Sequence, residues 1–193
     1  GSSGIQIAWP NTSNKFFKEV LEKVKEGESP NNISPIIEYS LAEGAKFLWM
    51  GDLETEFMAD IESDIDMPDI DILFAPHHGR DSGKIPESWL NQISPKLIVI
   101  GEAPSEHLNY YKGYNTLTQN SAGDITFEVE EGKVHIYVSN VKYSVSFLEY
   151  EEKANKLAEE VVGCLTDRGT LLAIEQQNNE AFECWIRRSN LVY

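Results

Sequence analysis

The sequence predicts an α/β fold in which helices flank a mixed sheet, and two observations support this prediction. Three apolar segments, at residues 46–50, 69–75 and 96–101, lack polar alternation and are typical of strands buried on both faces. Segments with helical features, residues 53–62 and 86–93, alternate with them. Such alternation indicates an α/β layer with parallel strands, whose functional residues collect at the carboxyl ends of the strands.

The residues before the first of these strands predict one helix and two further strands. Residues 5–9 alternate between apolar and polar positions with a period of two, which indicates a short strand. Ser13 is expected to cap a helix that ends near Gly27. Residues 34–40 are expected to form the next strand, directly before the first buried one.

After about residue 115 the pattern changes to alternating segments separated by turns. Three antiparallel strands are predicted, at 124–130, 134–138 and 143–148. Beyond residue 150 the pattern predicts a helix followed by two strands, at 151–164, 171–174 and 181–186. We therefore predict one α/β domain over residues 5–150 and an extension over residues 151–193 that packs on it.

Composition limits the function classes open to this chain. Its 193 residues carry a formal net charge of −16, which repels a phosphate backbone and disfavours broad electrostatic binding of DNA. No apolar run approaches the roughly 20 residues of a membrane helix, so no membrane partner is expected. Cys164 and Cys184 lie far apart and outside any CxxC spacing, which favours a cytoplasmic location over a disulfide scaffold.

Histidine and aspartate side chains follow the three buried strands. Asp52 comes after the first, the pair His77-His78 after the second, and His107 after the third. Because strand ends in such a sheet share an edge, we expect Asp52, His107 and at least one of the paired histidines to converge on one crevice. Imidazole with carboxylate suits zinc, manganese or iron.

Each of these residues also has a structural interpretation. Asp52 is well placed to cap the following helix, and a capping role does not exclude a role in a site. A metal or acid–base role for His77-His78 and a purely structural turn both remain open. The remaining histidine, His135, lies in the middle of a predicted strand and is expected to fill its face.

The order of these motifs resembles one branch of the metallo-β-lactamase superfamily, which includes the hydrolase domain of the ComEC-type competence DNA-uptake protein. Five segments match over about residues 5–140: Ile7-Ala8-Trp9-Pro10, Asn31-Asn32-Ile33-Ser34, Leu48-Trp49-Met50-Gly51-Asp52, His77-His78-Gly79 and the strand after Pro95. Two positions depart from the branch pattern: Arg80 replaces a serine, and Leu108 replaces a proline. In addition, Asn31-Asn32 falls roughly where classical members of the superfamily have a histidine.

The resemblance implies a fold and a site. The fold is the second half of a metallo-β-lactamase-like αββα sandwich. Asp52, His77 and His107 are then the expected ligands of one or two zinc or manganese ions, and His78 with Asp52 the expected catalytic pair. Which of the two adjacent histidines is the ligand stays open.

The resemblance also implies a function, with one alternative. The first hypothesis is a metal-dependent phosphodiesterase or nuclease that acts on nucleic acid or a nucleotide through a metal-activated water. The superfamily's His-x-His-x-Asp-His motif, which supplies most of the metal ligands, does not occur in this chain. We therefore expect a missing amino-terminal half or a partner subunit to complete the site. The alternative is a catalytically incomplete module used for binding or assembly.

Overall fold

The computed structural model describes residues 3–41, 44–130, 132–148 and 171–173, and the chain divides into two compact units. The first unit comprises residues 1–40 and 46–118, and the second comprises residues 41–45 and 119–193. The strands of the first unit are β1 (Ile5–Trp9), β2 (Ile36–Ser40), β3 (Lys46–Trp49), β4 (Ile72–Phe74), β5 (Leu97–Ile100) and β6 (Thr116–Thr118). Its helices are α1 (Lys15–Lys25), α2 (Thr55–Asp60) and α3 (Glu87–Ile93).

The first unit contains a six-stranded mixed sheet with the strands in sequence order, β1 to β6. β1, β2 and β3 pair antiparallel, whereas β3, β4, β5 and β6 pair parallel. The predicted α/β fold with a mixed sheet and flanking helices is confirmed. Because β3, β4 and β5 run in the same direction, the segments after them leave the same edge of the sheet, as the sequence predicts.

The central strands are buried on both faces. Leu48, Leu73 and Ile98 belong to one apolar cluster together with Phe57 of α2 and Trp89 of α3. The alternate residues of the same strands are buried as well; they include Phe47, Ile72 and Leu97. This two-sided burial explains why these strands are apolar without alternation.

Helix α1 begins one residue later than the sequence predicts. Asn14, rather than Ser13, is the N-cap, and its side-chain oxygen accepts hydrogen bonds from the backbone N–H groups of Phe16 and Phe17. Asparagine and serine cap helices about equally well, so composition alone does not distinguish them.

The second unit contains helix α4 (Gln119–Ala122) and strands β7 (Ile125–Glu130), β8 (Lys133–Val138) and β9 (Leu171–Ala173). β7 and β8 form the predicted antiparallel hairpin, and β9 pairs parallel with β8. The predicted strand at 143–148 is wrong, because residues 146–148 form a helical turn. Apart from residues 171–173, the predicted extension over 151–193 lies outside the described residues.

Within the described ranges, no helix has the length and apolar character needed to cross a membrane.

Candidate active-site edge

Asp52 lies in a tight turn directly after β3. Gly51 has a φ of 55°, and a Cβ atom there would lie 2.5 Å from the Ser34 Cβ, so the turn requires glycine. The Ser34 hydroxyl accepts a hydrogen bond from the Asp52 backbone N–H at 3.1 Å. These contacts fix the backbone of Asp52 while its side chain stays about half exposed, at 47%.

Two asparagines in the segment just before β2 form hydrogen bonds with Glu54, which lies two residues after Asp52. The side-chain amides of Asn31 and Asn32 donate one hydrogen bond each to the two oxygens of the Glu54 carboxylate, at 3.0 and 3.1 Å. The Asn32 side-chain oxygen in turn accepts from the Glu54 backbone N–H at 2.9 Å. We call these three residues the Asn–Glu clamp. The clamp and the Ser34 contact hold both ends of the turn from Asp52 to Glu54.

The two adjacent histidines form an unusual turn after β4. His77 and His78 both have left-handed backbones, with φ of 48° and 59°, and Gly79 follows with a φ of 83°. A left-handed backbone costs a residue with a Cβ atom about 1–2 kcal/mol, so this turn stores strain. The His77 backbone N–H donates to the Gly51 carbonyl at 2.9 Å, which ties the turn to the Asp52 turn.

His78 and Asp52 are brought together by these two turns. The His78 Nε2 lies 3.9 Å from the Asp52 Oδ1, and the two side chains are 54% and 47% exposed. Gly101, which follows β5, allows His78 to pack closely against the backbone there, because a Cβ at Gly101 would lie 3.2 Å from the Cα and Cβ of His78. A histidine–aspartate contact this exposed adds little stability even in its charged form, typically about 0–1 kcal/mol, so stability does not account for the arrangement.

His77 makes a different set of contacts from His78. Its Nδ1 lies 2.8 Å from the Ser82 hydroxyl oxygen. The loop that carries Ser82 is held from α2, where the Thr55 hydroxyl lies 2.8 Å from the Lys84 carbonyl oxygen and 3.1 Å from that of Ser82. The two neighbouring histidines are therefore anchored separately, one on Asp52 and the other on Ser82.

His107 follows β5 in a short 3-10 turn and is engaged by the same loop. Its Nδ1 accepts a hydrogen bond from the Asp81 backbone N–H at 3.3 Å. Its ring stacks on Tyr110 with the ring centres 5.1 Å apart, and its Nε2 lies 3.8 Å from the Glu106 carboxylate. The structure thus places His107 against the Asp81–Tyr110 side of the edge, whereas Asp52 contacts His78.

Two tyrosines beside His107 have raised pKa values. Partial burial, a hydrogen bond to Asp81 and the negative charges of Asp81 and Glu106 raise the pKa of Tyr110. Burial raises the pKa of Tyr111 to about 12, although a hydrogen bond from the Ile85 backbone N–H partly opposes this. Both phenols are therefore neutral near pH 7.

The residues expected to bind metal do not form a complete ligand group. In the described part of the chain, no three His, Cys, Asp or Glu side chains lie together in an arrangement that could hold a metal ion. Asp52 and His78 are a pair, and the Nδ1 of His107 is occupied by a backbone N–H. A stable transition-metal site needs about three protein ligands or more, so these residues do not by themselves fit a metal.

The sequence interpretation missed the supporting residues of this edge. Ser82, Thr55 and the Glu54 carboxylate act through contacts 5 to 29 positions apart in sequence, and no local pattern reveals such pairs. His135 lies in β8 of the second unit, opposite Glu128, as expected of a residue that fills a strand face.

Comparison of the chain with models of protein families finds no match, and comparison with curated proteins finds none.

Proposed function

We propose that this chain is the second half of a metallo-β-lactamase-like αββα sandwich, and that it contributes part of the active site of a metal-dependent phosphodiesterase. The observation that carries the proposal is the Asp52–His78 pair at the carboxyl edge of β3 and β4, held by a strained His-His-Gly turn. Strained backbone at the end of a buried strand is typical of functional sites. The choice of nucleic acid or a nucleotide as substrate rests on the motif resemblance.

In this proposal Asp52 and His78 have separate roles. The Asp52 backbone is fixed by Ser34 and its carboxylate stays half exposed, which leaves its oxygens open to a ligand from outside the described residues. The half-exposed His78 ring is able to exchange a proton with a bound substrate. A zinc or manganese ion held in part by Asp52 would supply a nucleophilic water at neutral pH. Its other ligands would have to come from outside the described residues, as from an amino-terminal half or a partner subunit.

A second candidate function is a catalytically incomplete module for binding or assembly. One observation favours it: the described residues contain no group of three side chains that could hold a metal. In this alternative the Asp52–His78 pair is a remnant of a site, and the strained turn has no catalytic consequence.

Metal analysis discriminates between the two candidates. The protein is purified with any native sequence that precedes Ile5 restored, and it is dialysed against zinc or manganese. Its metal content is then measured together with that of the Asp52→Ala variant. The matched control is Asp60→Ala, which removes an exposed carboxylate at the end of α2. Under the hydrolase proposal, restoring any native sequence that precedes Ile5 yields at least one metal per chain in wild type and in Asp60→Ala, and less in Asp52→Ala. Well-folded restored protein without metal supports the module.

A further inference from the structure

The loop after the His-His-Gly turn is built against one histidine. A Cβ atom at Gly83 would lie 2.6 Å from the His77 Cβ and 2.6 Å from the Pro76 carbonyl oxygen, so the loop touches the turn directly. Thr55 holds the loop from α2 by its hydroxyl, which lies within hydrogen-bond distance of the carbonyl oxygens of Ser82 and Lys84. The outcome of this packing is the 2.8 Å contact between the Ser82 hydroxyl and the His77 Nδ1.

The contact with Ser82 involves the Nδ1 of the His77 ring and not its Nε2. Within the described ranges, the His77 Nε2 takes part in no hydrogen bond to protein, whereas the His77 backbone N–H donates to the Gly51 carbonyl. A neutral imidazole carries its proton on one nitrogen and a lone pair on the other, and the Ser82 hydroxyl can accept from the first kind or donate to the second. Ser82 is exposed, so water can accept the proton of its hydroxyl.

We propose that Ser82 is a positioning residue for His77. Its oxygen accepts the Nδ1 proton, which fixes one tautomer and leaves Nε2 as the basic nitrogen at the active-site edge. The assignment of His77 to that edge rests on the proposed function, but the tautomer does not depend on it. The two adjacent histidines then differ in kind: Ser82 orients His77 through Nδ1, whereas His78 presents Nε2 to Asp52.

The test is a long-range ¹H–¹⁵N correlation spectrum of the imidazole rings of the whole chain, without metal or substrate. Spectra are recorded at about pH 9, where histidine rings are neutral. Protonated and unprotonated ring nitrogens have well-separated ¹⁵N shifts, and His77→Gln assigns the signal. We expect His77 Nδ1 to be protonated in the wild type. In Ser82→Ala the two nitrogen shifts should move toward each other as the tautomers mix.

Two variants separate positioning from a general structural effect. Ser82→Thr keeps the hydroxyl and should restore the wild-type ring shifts. Ser63→Ala removes an exposed hydroxyl of the first unit, which lies 3.5 Å from the Asp64 carboxylate, and should leave the His77 ring shifts unchanged. A wild-type His77 protonated on Nε2, or His77 shifts that are identical in Ser82→Ala, would overturn the proposal. A failure of the metal-content test has no bearing on this spectrum, so the two proposals can fail separately.

Discussion

At the scale of single residues, the backbone is strained at two adjacent histidines, His77 and His78. A glycine at either position would remove the Cβ clash of the left-handed conformation, yet both positions carry an imidazole. His78 gains little stability in return, because its Nε2 lies 3.9 Å from the Asp52 Oδ1 and both side chains are about half exposed. Strain without compensating stability is the pattern expected where a side chain serves function.

This strain predicts that, at position 78, a glycine variant is more stable than an alanine variant, the reverse of the order expected in a helix. Alanine retains the Cβ and its strain, whereas glycine relieves it, so His78→Gly should be more stable than His78→Ala by about 1 kcal/mol. The measurement is urea unfolding followed by circular dichroism. The control is Glu19 in the exposed face of α1, where alanine should be the more stable by about 1 kcal/mol. The same order at both positions would mean that the turn at His78 is not strained.

The raised pKa of the buried Tyr111 phenol predicts that the folded state loses stability at alkaline pH. Its side chain is 3% exposed, and burial raises its pKa from 10.0 to about 12. The folded state therefore holds a proton that the unfolded state releases, so stability is full below pH 10 and falls as the pH rises toward about 12. Two pKa units correspond to roughly 2–3 kcal/mol.

The measurement for Tyr111 is urea unfolding between about pH 9 and 12. In Tyr111→Phe the free energy of unfolding should decline less over this range by roughly 2 kcal/mol, whatever its value at neutral pH. Tyr114→Phe removes a phenol from the same apolar cluster and serves as the control. Equal alkaline slopes in wild type and Tyr111→Phe would contradict the assignment.

At the scale of elements, the Asn–Glu clamp links the segment before β2 to the start of α2. Glu54 accepts two amide hydrogen bonds and donates its backbone N–H, so all three contacts join Asn31 or Asn32 to the turn that carries Asp52. Hydrogen bonds to a charged group contribute more than neutral ones when water is partly excluded. The clamp therefore makes the position of Asp52 depend on residues about 20 positions earlier in the chain.

The clamp predicts energetic coupling between Asn32 and Glu54. In a double-mutant cycle, Asn32→Ala and Glu54→Ala should cost less together than the sum of their separate effects, with a coupling of about 1 kcal/mol. The matched control is Lys25 and Glu22, whose ion pair is 60% and 67% exposed and should couple by less than about 0.5 kcal/mol. Similar coupling in both pairs would remove the special role of the clamp.

Elements defined by their own residues are predictable from sequence, and those defined by distant partners are not. β3, β4 and β5 are buried on both faces and are evident from their apolar runs. β6 has only Leu117 buried between two threonines, and it exists because it pairs with β5. The expected strand at 143–148 fails for the converse reason, since alternation alone does not supply a neighbouring strand.

At the scale of the whole molecule, the parallel direction of three strands explains which parts of the site were predictable. Segments after parallel strands meet at one edge, so Asp52 and His78 could be expected to come together without knowledge of any contact. The position of His107 depends instead on Asp81 and Tyr110, which the sequence gives no reason to connect with it. Strand order predicts a shared edge, whereas loop contacts decide which side chains touch.

The 193-residue chain is expected to have no hydrolytic activity of its own. A hydrolytic metal site must fix the ion and leave one position for water, which takes about three protein ligands. The described residues bring Asp52 and His78 together but contain no group of three possible ligands, and the net charge of −16 disfavours an anionic substrate that no metal neutralises. We therefore expect no hydrolysis above the metal-only background when the chain is assayed with zinc or manganese on bis(p-nitrophenyl) phosphate and single-stranded DNA.

Restoring any native sequence that precedes Ile5 should raise the rate at least about tenfold above that background, because removal of one group that acts directly in a transition state typically changes rates by a factor of 10²–10³. Asp52→Ala in the restored protein should return the rate to background, while Asp60→Ala should not change it. Metal-dependent cleavage by the 193-residue chain alone would show that Asp52 and His78 need no ligand from outside this chain. Restored activity that survives Asp52→Ala would remove Asp52 from the mechanism, and with it the pair on which the proposed function rests.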